Sequence, residues 1–298
     1  MWGFMYLVTG ATGGLGRRIV RYLRDRDLPV RAFVRLTSRY SELEQRGADI
    51  FIGDLQLDKD IRKACTDVRY IISAHGSNEA SGGAQALDYR ANVELIDCAR
   101  EMGIEHFTYT SVLGAERGYE DSPVFKAKRE VEKYLQSSGL NYTILRPSGF
   151  ASNLLPLAER FEQTGIYLLL GEASTRTSIV STDDLAKIAA ESPTTEGARN
   201  QTLPVGGPEI MAREDIPKTF GRVFGKEPII INPPLFLFDG LRNALGLVNP
   251  DLQRSLGTLR VLLANEFFCT PEEVERVESI FNMKMERLED FVHRYLGT

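Results

Sequence analysis

The chain has 298 residues, 43% of them hydrophobic and 26% charged, which excludes a disordered or fibrous protein and allows one large domain or one and a half. Its net charge of -5 leaves too little basic surface for a general nucleic-acid binder, whose phosphate contacts need a cationic face. Cys65, Cys98 and Cys269 are widely separated and lack metal-ligand spacing, so they read as structural thiols in a reducing compartment, and no metal site is expected.

In chain order, an apolar run from Phe4 to Val8 leads into Gly10, Gly13 and Gly16, and an amphipathic segment continues to Arg26. That is a strand, a tight turn and a helix. In such a unit the first glycine turns the chain off the strand, the second leaves room for a pyrophosphate, and the third lets the helix pack closely. The free N–H groups and positive end of the helix then receive the phosphates. A dinucleotide site is predicted here. A first strand by residue 4 or 5 leaves no room for a signal or transit peptide, and no run approaches the ~18 apolar residues of a membrane span. The expectation is a cytoplasmic chain.

Further strands are predicted at Pro29 to Val34, Asp49 to Ile52, Arg69 to Ala74, His106 to Thr110 and Tyr142 to Leu145, with helical patterns between them. Short apolar strands, each followed by a helix, describe a parallel sheet covered on both faces, so the expected class is α/β, a Rossmann-type doubly wound sheet. The Gly76 to Gly83 stretch reads as a loop at a strand's C-terminal end, where ligand crevices form. A sheet that binds NAD usually ends its second strand in Asp or Glu; here that strand runs into Arg35, with Arg39 one helical turn on. A guanidinium pairs with a 2′-phosphate that a carboxylate would repel, so NADP(H) is the expected cofactor. Gly53-Asp54-Leu55, after the third strand, offers an acidic acceptor for an adenine amino group.

After Arg146-Pro147 the alternation gives way to denser Pro and Gly. Residues 1–150 are therefore assigned to the dinucleotide-binding domain, and 151–298 to a smaller α/β substrate or partner lobe packed on it. Two helix starts in this lobe, Ser181-Thr182-Asp183-Asp184 and Thr270-Pro271-Glu272-Glu273, pair a hydroxyl cap with an acid three residues on. Phe236 to Val248 is apolar, interrupted by Asp239, Arg242 and Asn243. It reads as a helix packed on the core in preference to a flap that meets a lipid, partner or substrate; it lacks the basic face of a membrane-surface helix.

Several stretches together resemble the NmrA-like group of atypical short-chain dehydrogenase/reductases. They are Val8-Thr9-Gly10-Ala11-Thr12-Gly13-Gly14-Leu15-Gly16, Gly53-Asp54-Leu55, Tyr109-Thr110-Ser111-Val112-Leu113-Gly114-Ala115, Ser138 through Pro147, and Val180 through Ala186, with a tail from Ile280 to Phe291 like the family's last helices. The resemblance implies that Gly10, Thr12, Gly13, Gly14 and Leu15 hold the pyrophosphate, Arg35 the 2′-phosphate, and Asp54 with Leu55 the adenine. It further implies that Ala74, His75 and Gly76 border the ribose, that Pro147 joins the cofactor contacts, and that Ser111 and Lys128 are the catalytic pair. Lys128 matches the lysine of Tyr-x-x-x-Lys, which grips the nicotinamide ribose.

The sequence departs from that pattern at the tyrosine, because four residues before Lys128 stands Val124. Tyr109 reads as a core residue of a strand and Tyr119 as a loop residue, neither one turn from Lys128. Quinones and cationic dyes accept hydride without an obligatory protein proton donor, whereas ketones and sugars generally need one. The expected activity is therefore NADPH-dependent reduction of a quinone-like, planar apolar acceptor, with Lys128 orienting the cofactor and Ser111 polarising the substrate. The alternative, which the family also contains, is a non-catalytic NADP(H)-sensing regulator or assembly factor with a protein partner on the C-terminal lobe, docked at Phe236 to Val248. No nucleic acid and no membrane span are expected.

Overall fold

The computed structural model describes residues 5–76, 83–119, 121–248 and 250–297. Most of the predicted loop between Gly76 and Gly83, and Phe4 of the first run, lie outside them. In chain order the elements are β1 (Met5–Thr9), α1 (Gly14–Arg24), β2 (Val30–Val34), α2 (Ser41–Gln45), β3 (Asp49–Ile52), α3 (Asp58–Ala64), β4 (Val68–Ser73), a π-helical turn (Gln85–Arg90), α4 (Ala91–Glu101), β5 (His106–Thr110), α5 (Pro123–Ser137) and β6 (Tyr142–Pro147). There follow α6 (Leu155–Thr164), β7 (Ile166–Leu168), β8 (Arg176–Thr177), α7 (Thr182–Glu191), β9 (Gln201–Val205), β10 (Met211–Ala212), α8 (Asp215–Phe224), β11 (Ile229–Ile231), α9 (Leu235–Val248), α10 (Pro250–Ala264), α11 (Pro271–Phe281) and α12 (Leu288–Leu296).

The main sheet has the order β3-β2-β1-β4-β5-β6-β9, and β1 to β6 pair in parallel. All six predicted strands are present, in a Rossmann-type α/β sheet. The order reverses at β1 and β4, and at such a switch point the crevice outside the strand C-termini receives ligands. Gly10 follows one of these strands and Ala74 the other. The seventh strand, β9, lies in a stretch that the sequence reading gave to the second lobe. Its Pro204 lacks an N–H, which a terminal strand of a sheet tolerates and a central one does not.

The chain forms two compact units, one of residues 1–116, 126–146 and 182–203, the other of 117–125, 147–181 and 204–298. The first unit buries Leu7, Phe33, Ile71, Phe107, Tyr109, Val131 and Leu135 between sheet and helices. In it α7 lies along α1, where the Asp183 carboxylate accepts from Arg18 Nε at 3.0 Å and from an Arg21 guanidinium nitrogen at 2.9 Å. The second unit packs α6, α8 and α12 around Phe161, Phe220 and Phe291. It also carries two small sheets, β7 with β11 in parallel and β8 with β10 antiparallel.

Both predicted helix starts occur. Thr270 and Glu273 form a complete capping box with Pro271 at the first helical position, and α7 begins at Thr182. The apolar segment from Phe236 is helical, as α9; in its first turn Phe236 is 68% and Leu237 54% exposed, Leu235 and Phe238 are half-buried, and the side chains of 241–243 and 245–248 lie outside the described residues. Cys65, Cys98 and Cys269 are free and buried. Among the described residues no helix is long and apolar enough to cross a membrane, and no cluster of side chains could hold a metal ion.

Candidate functional site

The turn after β1 is built by close backbone approach. Gly10 has φ +67°, a conformation that side chains disfavour, and a β-carbon there would sit 2.6 Å from the Ala74 carbonyl oxygen. A β-carbon on Gly16 would lie 2.2 Å from the Gly10 carbonyl oxygen. The chain therefore folds tightly at both positions, and α1 starts at Gly14, capped by Gly13 without a side-chain hydrogen bond. No acid occupies the first turn, so its N–H groups and the dipole's positive end keep their affinity for an anion.

A cleft of about 450 Å³ opens over this turn, and Gly10, Thr12 and Gly13 line it together with Arg35, Asp54, Leu55, Ala74, His75 and Gly76. Nine cofactor residues predicted from the sequence thus meet in one place, and Gly14 and Leu15 stand at the start of the adjoining helix. Arg35 is exposed at the end of β2. Asp54 is held by an Asx turn: one carboxylate oxygen accepts from the Gln56 N–H at 2.9 Å, while the Asp54 N–H donates to Asp60 at 3.0 Å. Pro147 ends β6 and belongs to the second unit.

His75 forms the floor of the cleft. Its Nε2 lies 3.1 Å from the Leu87 carbonyl and must donate, so Nδ1 accepts from the Thr9 hydroxyl at 2.8 Å. Burial pulls its pKa down to about 4, against the pull of Asp88, so the ring is a neutral brace. His106 on β5, 3.0 Å from the Thr143 hydroxyl, is likewise held at about 4 by burial and by Arg199. An unfolded histidine titrates near 6.5, so between pH 6.5 and 4 the unfolded chain binds protons that the folded chain refuses. The stability from these two neutral rings is complete above pH 6.5 and falls on acidification, by up to roughly 3 kcal/mol each at pH 4. Denaturant melts at pH 7.5 and 5 should show the loss, and His106→Gln should shrink it; an undiminished pH dependence in that variant would refute the assignment.

At the C-terminal end of β5, Lys128 from α5 is buried and donates to the Thr110 carbonyl at 2.9 Å. Its ammonium stands 3.7 Å from an Asp88 carboxylate oxygen and 5.3 Å from the centroid of the Tyr109 ring. Ser111 donates its hydroxyl proton to Glu132 at 2.6 Å. A substrate-polarising role for Ser111 needs that same proton. Glu132 is fully buried and also accepts two bonds from Arg146, at 2.8 and 2.7 Å, and one from Arg129 at 3.2 Å. Tyr109 is a core residue, as expected, with a fully buried hydroxyl that has no hydrogen-bond partner among the described residues. Val124 does occupy α5 one turn before Lys128.

Sequence reasoning missed Asp88, Glu132 and Arg146. Arg146 was visible only as part of the Arg146-Pro147 pair, and Asp88 carried no local signal because the widened turn that aims it inward has no sequence signature. Residues 10–196 match the family described as NAD(P)H-binding. Photosystem II assembly factor Ycf39 of Guillardia theta is 33% identical over 237 residues, covering 78% of this chain and 74% of its own. The NAD(P)H azoreductase of Xenophilus azovorans is 29% identical over 227 residues, 74% of each chain. The NADPH-dependent quinone oxidoreductase QOR2 of Escherichia coli, crystallised with NADPH, shares the fold with a TM-score of 0.77 at 20% identity, over 98% of this chain and 99% of that one. A turn too tight for a β-carbon at Gly10 or Gly16, under a helix start free of acids, fits a pyrophosphate. The chain belongs to the NAD(P)H-binding family and has a Rossmann-type fold.

Proposed function

We propose that this protein is an NADP(H)-dependent reductase of planar, apolar acceptors of the quinone class. One observation carries the reading: the dinucleotide-side groups line one cleft, while among the described residues no phenol stands one helical turn before Lys128. Val124 replaces the phenol, Ser111 gives its proton to Glu132, and the Tyr109 hydroxyl is sealed in the core. A bound reduced dinucleotide supplies hydride. The residues of the chain then bind and orient, and the acceptor must be one whose reduced anion takes its proton from water, as a quinone does and a simple ketone does not.

In this reading the Gly10 to Gly16 turn and the N–H groups of Gly14 and Leu15 hold the pyrophosphate. Arg35, supported by Arg39, pairs with the 2′-phosphate; Asp54 and Leu55 receive the adenine, and Ala74, His75 and Gly76 border the ribose. Lys128 grips the nicotinamide ribose, and Pro147 completes the cofactor contacts. Residues 1–150 carry the dinucleotide, 151–298 supply the acceptor side, and the protein works in the cytoplasm, where its buried thiols stay reduced.

Two measurements test this. Titration should show NADPH binding more tightly than NADH by about 10- to 150-fold, the range for hydrogen bonds to a charged group, and Arg35→Ala should remove most of the difference. Equal affinities in the parent would end the NADP(H) assignment. In steady-state assays NADPH should be consumed with a quinone and not with a simple ketone.

A second reading, a non-catalytic NADP(H)-dependent assembly factor or regulator, is favoured by the apolar surface of the second unit. Ile229, Ile231 and Phe236 are 61, 51 and 68% exposed there. The Guillardia theta relative is itself named an assembly factor. Tight NADPH binding with no turnover across a broad acceptor panel would select this reading.

A further inference from the structure

In the reading above Lys128 serves the nicotinamide half of the cofactor, and what holds it is not a residue of the Tyr-x-x-x-Lys pattern. Of its three N–H donors, one goes to the Thr110 carbonyl, and Asp88 faces the ammonium as an ion pair at 3.7 Å; among the described residues no further hydrogen bond of the ammonium is seen. Asp88 comes from the π-helical turn Gln85–Arg90 that runs into α4. Such turns add a residue to the helical circuit and are frequent at functional sites. Here the widened turn serves two groups at once, offering the Leu87 carbonyl to His75 and the Asp88 carboxylate to Lys128.

The Asp88 side chain is 1% exposed, and the same oxygen that faces Lys128 lies 3.6 Å from the position a β-carbon on Gly76 would take. The carboxylate therefore stands directly behind the cleft wall. A buried ammonium without a counter-charge is costly to desolvate and free to swing, and a lysine carries four rotatable bonds to swing with. The Tyr109 ring, 5.3 Å from Nζ, supports it from another side.

We propose that Asp88 is the positioning residue of Lys128: its carboxylate holds the ammonium at the end of β5 so that a further N–H serves a hydroxyl of the nicotinamide ribose. In proteins with the phenol, that hydroxyl would share the neighbourhood; with Val124 in its place, the carboxylate of a different element steadies the lysine. The proposal rests on the reading that Lys128 contacts the nicotinamide half of the cofactor.

The test compares two ligands on the full chain, NADPH and 2′,5′-ADP, the latter lacking the nicotinamide ribose. Lys128→Met and Asp88→Asn should each weaken NADPH about tenfold and leave 2′,5′-ADP within about twofold, and Asp88→Asn should add nothing when Lys128 is already Met. Asp88→Glu, which keeps the charge, should restore part of the loss. An Asp88→Asn protein that binds NADPH like the parent, while Lys128→Met is weakened, overturns the proposal and leaves the Lys128 reading intact. So does additivity of the two substitutions. Parent-like NADPH binding by Lys128→Met removes the underlying reading itself. If Asp88→Asn loses 2′,5′-ADP as well, its cleft has collapsed, and Asp88→Ser, with space for a water in place of the carboxylate, is held to the same expectations.

Discussion

Arg146→Ala should destabilise the protein by about 3–5 kcal/mol, the largest single loss expected outside the apolar core. Glu132 is fully buried and accepts two hydrogen bonds from the Arg146 guanidinium and one from the Ser111 hydroxyl, with Arg129 contributing one longer contact. Removing the guanidinium leaves a buried carboxylate with only the Ser111 hydroxyl and the longer Arg129 contact, and the cost comes from that under-compensated charge more than from any attraction lost. Replacing both partners by apolar groups of similar size should recover most of the loss. About 1 kcal/mol should remain, because the Ser111 hydroxyl then has no acceptor. Urea melts of the parent, Arg146→Ala and the Arg146→Met, Glu132→Met double variant measure this. A double variant no more stable than Arg146→Ala would show that the charge pair itself, and not the orphaned carboxylate, supplies the stability.

Gly10→Ala should cost about 2–4 kcal/mol and most of the affinity for NADPH. Two penalties add. An alanine at φ +67° pays about 1–2 kcal/mol for the left-handed conformation, and its β-carbon meets the Ala74 carbonyl oxygen at 2.6 Å and the His75 α-carbon at 2.7 Å, where backbone on both sides has to yield. Relief means moving the turn off the end of β4, which displaces the N–H groups at the start of α1. Gly103→Ala serves as the control, since Gly103 also has positive φ (+68°) yet a β-carbon there meets nothing within 4 Å. It should lose only the conformational part of the stability and none of the NADPH affinity. Equal losses of affinity in both variants would refute the account of the cradle.

The same contrast between local and distant causes separates what the two levels of description could reveal. Gly10, Gly13 and Gly16, the six apolar strands and the Thr270 capping box were legible because each is a short-range pattern. A glycine answers a local steric demand, a strand declares itself by apolar runs of its own, and a capping box closes within four residues. The absence of the catalytic phenol was legible too, because Val124 and Lys128 are one turn apart on a single helix. The packing of α9 was misread at Phe236 and Leu237, since an apolar residue reports a preference for burial and not whether a neighbour exists to bury it.

By itself, the sequence determined the class of the sheet, the glycine turn after β1, and the residues that the cleft gathers from four loops. Only the tertiary structure decided which polar groups spend their hydrogen bonds on each other. Ser111 and Glu132 are 21 residues apart, Lys128 and Asp88 are 40, and Asn200 on the approach to β9 meets Tyr142 across 58. Such pairings depend on crossover helices and strand order, which bring together side chains that share no periodicity. Whether a serine can lend its proton, or a lysine keep its place, is settled by the charge that folding sets beside it.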